Sequence, residues 1–210
     1  MGRQITSLLK SVTTPLIAFV IVIGGLYLWT LGFRAFTTYG YVYLASSPLP
    51  KAPPALSLLD QRGRGFYLNE LKGRYYLVQF AFLGCSGSCP IEIAAYLKLH
   101  DQMVLEKVQS LSLLTLTLNP EEDSIELLND FWQNYDSPTQ WQIASPQEIT
   151  TKDYWAELNH LGAWVNIDQS GQLRHDTRTF LINPEGLIVQ SFASVPDWKV
   201  LKSALHPVEP

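Results

Sequence analysis

Gln79-Phe80-Ala81-Phe82-Leu83-Gly84-Cys85-Ser86-Gly87-Ser88-Cys89-Pro90 joins the end of an apolar run to a loop of small residues. The run, Tyr75 to Leu83, is almost unbroken, as expected of a strand buried on both faces. The loop holds the only two cysteines of the chain, and a proline follows at once. Pro90 suits the first position of a helix, because its missing N–H would go unbonded there anyway. Cys89 then lies beside a helix N-terminus, where partial positive charge favours thiolate. The three small residues between the cysteines let both sulfurs face one point.

Outward from this loop, strands and helices alternate. Leu56–Asp60 and Gly65–Leu68 read as short strands about the turn Arg62-Gly63-Arg64. Ile91, Ala94, Ala95, Leu97, Val104, Leu105 and Val108 give a helical stripe after Pro90. Leu111–Leu118 is a second buried strand and ends in the loop Asn119-Pro120-Glu121-Glu122-Asp123. Asp123 is the expected N-cap of a helix over Ser124–Tyr135. Trp141–Ala144 reads as a short strand. Ser145 is expected to cap a helix from Pro146 to Leu161, with Glu148 completing a capping box. The polar segment Val165–Asp176 is loop-like around Ser170-Gly171. Two strands, Thr177–Ile182 and Leu187–Phe192, flank the turn Asn183-Pro184-Glu185-Gly186, and a closing helix runs from Val195 to Leu205. Together these predict an α/β, thioredoxin-like three-layer sandwich.

Ahead of the domain, Leu16 to Phe33 is eighteen residues without a charge. A helix of that length crosses most of a bilayer, and it exceeds the apolar core of a cleaved signal peptide. It predicts a retained N-terminal transmembrane helix. Arg3 and Lys10 precede it and Arg34 follows, so the positive-inside bias puts the N-terminus in the cytoplasm and the rest outside, on the periplasmic side of an inner membrane. Phe33, Phe36, Tyr39, Tyr41 and Tyr43 resemble an interfacial aromatic belt. Ser46–Ala55 carries four prolines and predicts an extended spacer. The expected divisions are a cytoplasmic tip and anchor over 1–34, a spacer over 35–55 and a folded domain over 56–206. Of the 210 residues 47% are apolar, enough for a sizeable core. The net charge of −4 and the lack of a basic run give nucleic acid no electrostatic footprint.

Two thiols with three residues between them can serve redox or metal chemistry. Thiol–disulfide motifs of this fold commonly have two intervening residues, and a structural zinc site wants four ligands. No second cysteine pair exists to complete such a site. Two thiolates and one imidazole make a low-coordinate, soft set that suits Cu(I). Of the four histidines, His100 and His160 fall in predicted helices and His206 in the tail. His175 sits just before an apolar strand and can be read as a ligand or as a surface loop residue.

Phe82-Leu83-Gly84-Cys85-Ser86-Gly87-Ser88-Cys89-Pro90 resembles the Cys-x-x-x-Cys-Pro loop of the Sco/SenC family. Asn119-Pro120-Glu121-Glu122-Asp123 resembles that family's Asp-Pro-x-x-Asp loop. Leu173-Arg174-His175 and the turn Asn183–Gly186 resemble its histidine and following hairpin. The resemblance spans Leu56–Leu205 and implies a membrane-anchored, thioredoxin-fold copper protein of cytochrome c oxidase assembly. It implies a metal site of Cys85, Cys89 and His175 for Cu(I) and also Cu(II), with oxidase subunit II or another copper protein as recipient and no small-molecule substrate. Ser86-Gly87-Ser88 lacks the aspartate and bulkier residues frequent in the family, and Asn119 and Glu122 replace its Asp and Arg. The alternative function is a membrane-tethered thiol–disulfide oxidoreductase that uses Cys85 and Cys89 to reduce the cysteines of a copper-protein partner. A peroxidase-like redoxin ranks below both, for no activating arginine lies near Cys85 in sequence.

Overall fold

The structure is a computed structural model that describes residues 2–46, 48–84, 89–136 and 138–205, with backbone alone at 2–12, 39, 45 and 89. The strands are β1 (Ser57–Asp60), β2 (Gly65–Tyr67), β3 (Tyr75–Ala81), β4 (Leu111–Thr117), β5 (Trp141–Pro146), β6 (Val165–Ile167), β7 (Leu173–His175), β8 (Thr179–Ile182) and β9 (Ile188–Phe192). The helices are α1 (Gly2–Trp29), α2 (Thr38–Ala45), α3 (Cys89–Leu105), α4 (Ile125–Gln133), α5 (Thr151–Leu161) and α6 (Trp198–Leu205).

Seven strands form one sheet in the order β2-β1-β5-β4-β3-β8-β9. β3, β4 and β5 run parallel at its centre, and β8 joins β3 antiparallel. A parallel pair needs a crossover of a dozen or more residues, and α3 supplies it between β3 and β4. The alternation of side chains along each strand splits the core in two. Val78, Phe80, Leu114 and Leu116 pack with Tyr154 and Leu158 of α5 on one face. Leu77, Leu111, Leu113 and Ile143 pack on the other with α3, α4 and α6. Leucines at 77, 111, 113, 114 and 116 are fully buried, each contributing about 1.5–3 kcal/mol relative to exposure. The three-layer sandwich predicted from the alternating pattern is the observed architecture. The β8–β9 hairpin turns at Gly186, whose φ of 87° favours a residue without a side chain. A Cβ there would also stand 3.1 Å from the Leu71 carbonyl.

Three local expectations are corrected. His175 is not a loop residue but ends β7: β6 and β7 make an antiparallel two-stranded sheet about the expected turn at Ser170-Gly171, with Val165 opposite His175. Each strand has three residues, too few for an alternation to register. Ser145 does not cap a helix but lies in β5, which runs on to Pro146. The cap of α5 is Thr150, which accepts from Asp153 N at 3.2 Å. Asp123 is not the cap of α4 either. Ser124 takes that place, accepting from Leu127 N at 3.3 Å, and Asp123 is turned inward.

α1 includes most of the uncharged run, and Leu16, Phe19, Ile21, Leu28 and Trp29 on it are exposed. Among the described residues no helix is long and apolar enough to cross a membrane. Part of the aromatic segment after it is the helix α2, capped by Thr37 accepting from Gly40 N at 3.2 Å.

Candidate metal centre

β3 delivers the chain to the cysteine loop. Cys85, Ser86, Gly87 and Ser88 lie outside the described residues, as does His206. Cys89 is described by its backbone, as the first residue of α3, with Pro90 second. The expected convergence of two thiols therefore lies outside the described residues. Among the described residues no three or more His, Cys, Asp or Glu side chains gather as a metal site.

The structure does place the third predicted ligand. His175 ends β7, and its ring meets Phe82 edge to face, with centroids 6.0 Å apart and planes at 74°. Phe82 stands three positions before Cys85, so the histidine from late in the chain reaches the residue leading into the cysteine loop. His175 Nδ1 lies 2.6 Å from the Asp176 carbonyl oxygen. A carbonyl only accepts, so Nδ1 carries the proton and the lone pair falls on Nε2. Burial lowers the His175 pKa, against the opposing pull of the Asp176 carbonyl and carboxylate. The ring is thus held neutral, the form that ligates metal. His100 and His160 lie on α3 and α5, as expected, and neither lines the cleft around His175.

Asp176 supports this arrangement from below. Its carboxylate accepts from Trp164 N at 3.3 Å and Arg178 N at 3.2 Å. Burial raises its pKa, countered by those two N–H groups and by the charge of Arg178.

Asp123 supports the other side. It is 3% exposed, accepts the Thr117 hydroxyl proton, and takes the Leu83 N–H at 3.2 Å to Oδ2. Burial raises its pKa, opposed by the Thr117 and Leu83 hydrogen bonds. It ties the residue two before Cys85 to the end of β4. The sequence signal was present, since Asp123 and Ser124 are both N-cap types, but only one can cap and the choice is made by burial.

Phe82, Gly84, Asn119, Glu121, Trp155 and His175 are among the walls of a cleft of about 870 Å³. Trp155 Nε1 donates to the Leu118 carbonyl at 2.8 Å, fixing one wall. A separate cavity of about 150 Å³ lies behind the loop, touched by Leu83, Pro90 and Asp123.

The SCO1/SenC family model matches residues 48–207. The chain belongs to the SCO1/SenC family. A SCO2-like protein of Rickettsia typhi is 25% identical over 181 residues, covering 84% of this chain and 87% of its own. Among solved structures, a SCO1/SenC family lipoprotein from Bacillus anthracis has a TM-score of 0.66 at 21% identity, over 76% of this chain and 95% of that one. Yeast Sco1 with copper bound has a TM-score of 0.60 at 19% identity, over 76% and 91%. These two likenesses establish the SCO1/SenC fold for the domain.

Proposed function

We propose that this SCO1/SenC protein is a membrane-anchored copper chaperone. Cys85, Cys89 and His175 would hold copper and pass it by ligand exchange to the binuclear copper site of cytochrome c oxidase subunit II. The observation that carries the reading is the contact of the neutral His175 ring with Phe82, at the entrance to the cysteine loop. Two thiolates and an imidazole form a soft donor set for Cu(I), and the fold is that of yeast Sco1 with copper bound. The test is titration of the reduced protein with Cu(I) against a chromophoric competitor. A 1:1 complex weakened by His175→Ala supports the assignment, and indifference to that change removes it.

One observation favours a second reading. α3 starts at Cys89, and a helix N-terminus favours thiolate. In a thiol–disulfide oxidoreductase the dithiol would reduce a partner's disulfide, giving up two electrons and two protons and closing Cys85–Cys89. Trapping a mixed disulfide with Cys85→Ser or Cys89→Ser supports that role.

Residues 1–34 are proposed to be the cytoplasmic tip and anchor, 35–55 the connection and 56–206 the copper domain. The anchor is supported by the uncharged run Leu16–Phe33 and by the exposed apolar side chains of α1, a surface that a bilayer would cover. Arg3 and Lys10 before the run favour a cytoplasmic N-terminus and a domain outside.

A further inference from the structure

α2 lies between the apolar helix and the sheet domain, and it packs on the domain. Gly162, at the end of α5, has φ 96°, and a Cβ there would stand 2.9 Å from Ser46 Oγ and 3.8 Å from Tyr43 Cα. The two segments approach that closely because Gly162 has no side chain. Further on, Lys51 exchanges backbone hydrogen bonds with Ile188 at 3.1 and 2.8 Å, and its Nζ donates to the Leu161 carbonyl at 3.0 Å. The chain from α2 to Lys51 is therefore fastened at both ends.

At the α2 end of this strap, the Arg178 guanidinium lies 3.9 Å from the centre of the Tyr43 ring. Arg178 is only 8% exposed. Its Nε lies 3.5 Å from Asp176 Oδ2, close enough for an ion pair but without a hydrogen bond of its own. Asp176 in turn accepts from Arg178 N, and its carbonyl fixes His175 Nδ1. Tyr43, Arg178, Asp176 and His175 thus form one continuous line of contacts from the membrane-proximal helix to the predicted ligand.

We propose that Tyr43 and Arg178 are positioning residues for His175, so that the segment between anchor and domain is part of the support of the copper site. This rests on the copper reading above. The physical reason is that a ligand imidazole is oriented by the partner of its second nitrogen. That partner is the Asp176 carbonyl, and Asp176 is held by Arg178. The face of Tyr43 holds the cation in place over its π-system. Without the ring, Arg178 is free to swing outward to water, and Asp176 loses the charge that faces it.

The test uses the full chain in detergent micelles, reduced, with Cu(I) partitioned against a chromophoric competitor and Cu(II) followed by electron paramagnetic resonance. Tyr43→Ala and Arg178→Gln are expected to weaken Cu(I) binding about tenfold or more and to alter the Cu(II) hyperfine pattern. Tyr43→Phe keeps the ring face and is expected to match the wild type in both. The Tyr43 side chain is half-exposed, so Tyr43→Ala carries the test if Arg178→Gln fails to fold. Wild-type affinity and spectrum in Tyr43→Ala overturn the positioning role and leave the copper site standing. Equal losses in Tyr43→Ala and Tyr43→Phe also overturn it, since the ring face would then not be what matters. A His175→Ala protein indistinguishable from wild type removes the copper site, and the positioning role with it.

Discussion

His175 and Phe82 are 93 positions apart in the chain, yet their rings meet edge to face at 6.0 Å. The contact joins two separate sheets, because Phe82 follows the central strand β3 and His175 closes the small β6–β7 ladder. Edge-to-face pairs of this kind add about 0.5–1.5 kcal/mol beyond the area they bury. Phe82→Ala should therefore cost about 1–3 kcal/mol of stability by denaturant unfolding, Phe82 being half-buried. It should also weaken Cu(I) binding, and Phe82→Tyr should retain both. A Phe82→Ala protein with unchanged copper affinity would separate the contact from the site.

Asp123 predicts a pH signature. Burial raises its folded pKa, so the native state holds that proton more tightly than the unfolded chain does. Stability contributed by the group is present below the unfolded carboxyl value near ~4, and it declines as pH rises through the raised native value. Asp123→Asn has no such titration. The urea midpoint of the wild type minus that of the variant should be larger at pH 4 than at pH 7, and a difference independent of pH would contradict the assignment.

Asp123→Ala tests the loop tether rather than the charge. It leaves the Leu83 N–H without its acceptor, a loss of about 1–3 kcal/mol. Hydrogen exchange at Leu83 should speed up while exchange within β4 stays slow. Unchanged protection at Leu83 would show that the carboxylate is not what holds it.

Gly162 closes α5 in a left-handed conformation and faces Ser46. Gly162→Ala should cost about 1–2 kcal/mol from the backbone alone and more from displacing Ser46. Gly162→Ala combined with Ser46→Gly should recover part of that loss in thermal unfolding. No recovery would mean that the cost is wholly in the backbone.

The proposed anchor predicts that the full chain stays with the membrane fraction through an alkaline carbonate wash, and that a chain lacking 1–34 does not. Release of the full chain by that wash would show peripheral attachment.

The sheet could be read from the sequence because Tyr75–Ala81 and Leu111–Thr117 are uncharged, mainly apolar runs, and only a doubly covered strand needs that. The turn Asn183–Gly186 carries its own chemistry, and the hairpin follows from it. The β6–β7 ladder could not be read in the same way. Its outward residues, such as Asn166 and Arg174, make it look like a loop, and each of its strands is only three residues long. The site was half legible. His175 was named through resemblance, but its fixed tautomer depends on the backbone of Asp176, which no side-chain pattern records. In sequence Tyr43 and Arg178 look like belt and strand residues, because a cation–π contact between distant segments leaves no local periodicity. Asp123 looked like a cap because its side chain suits that task equally well.

In the proposed site His175 completes copper ligation with Cys85 and Cys89. Competitive Cu(I) titration of the reduced full chain, wild type beside His175→Ala, tests it most directly. One tightly held Cu(I) per wild-type chain is expected, with a loss of about tenfold or more in affinity on removing the imidazole. Equal affinity in the two proteins, or no 1:1 complex in the wild type, would contradict it.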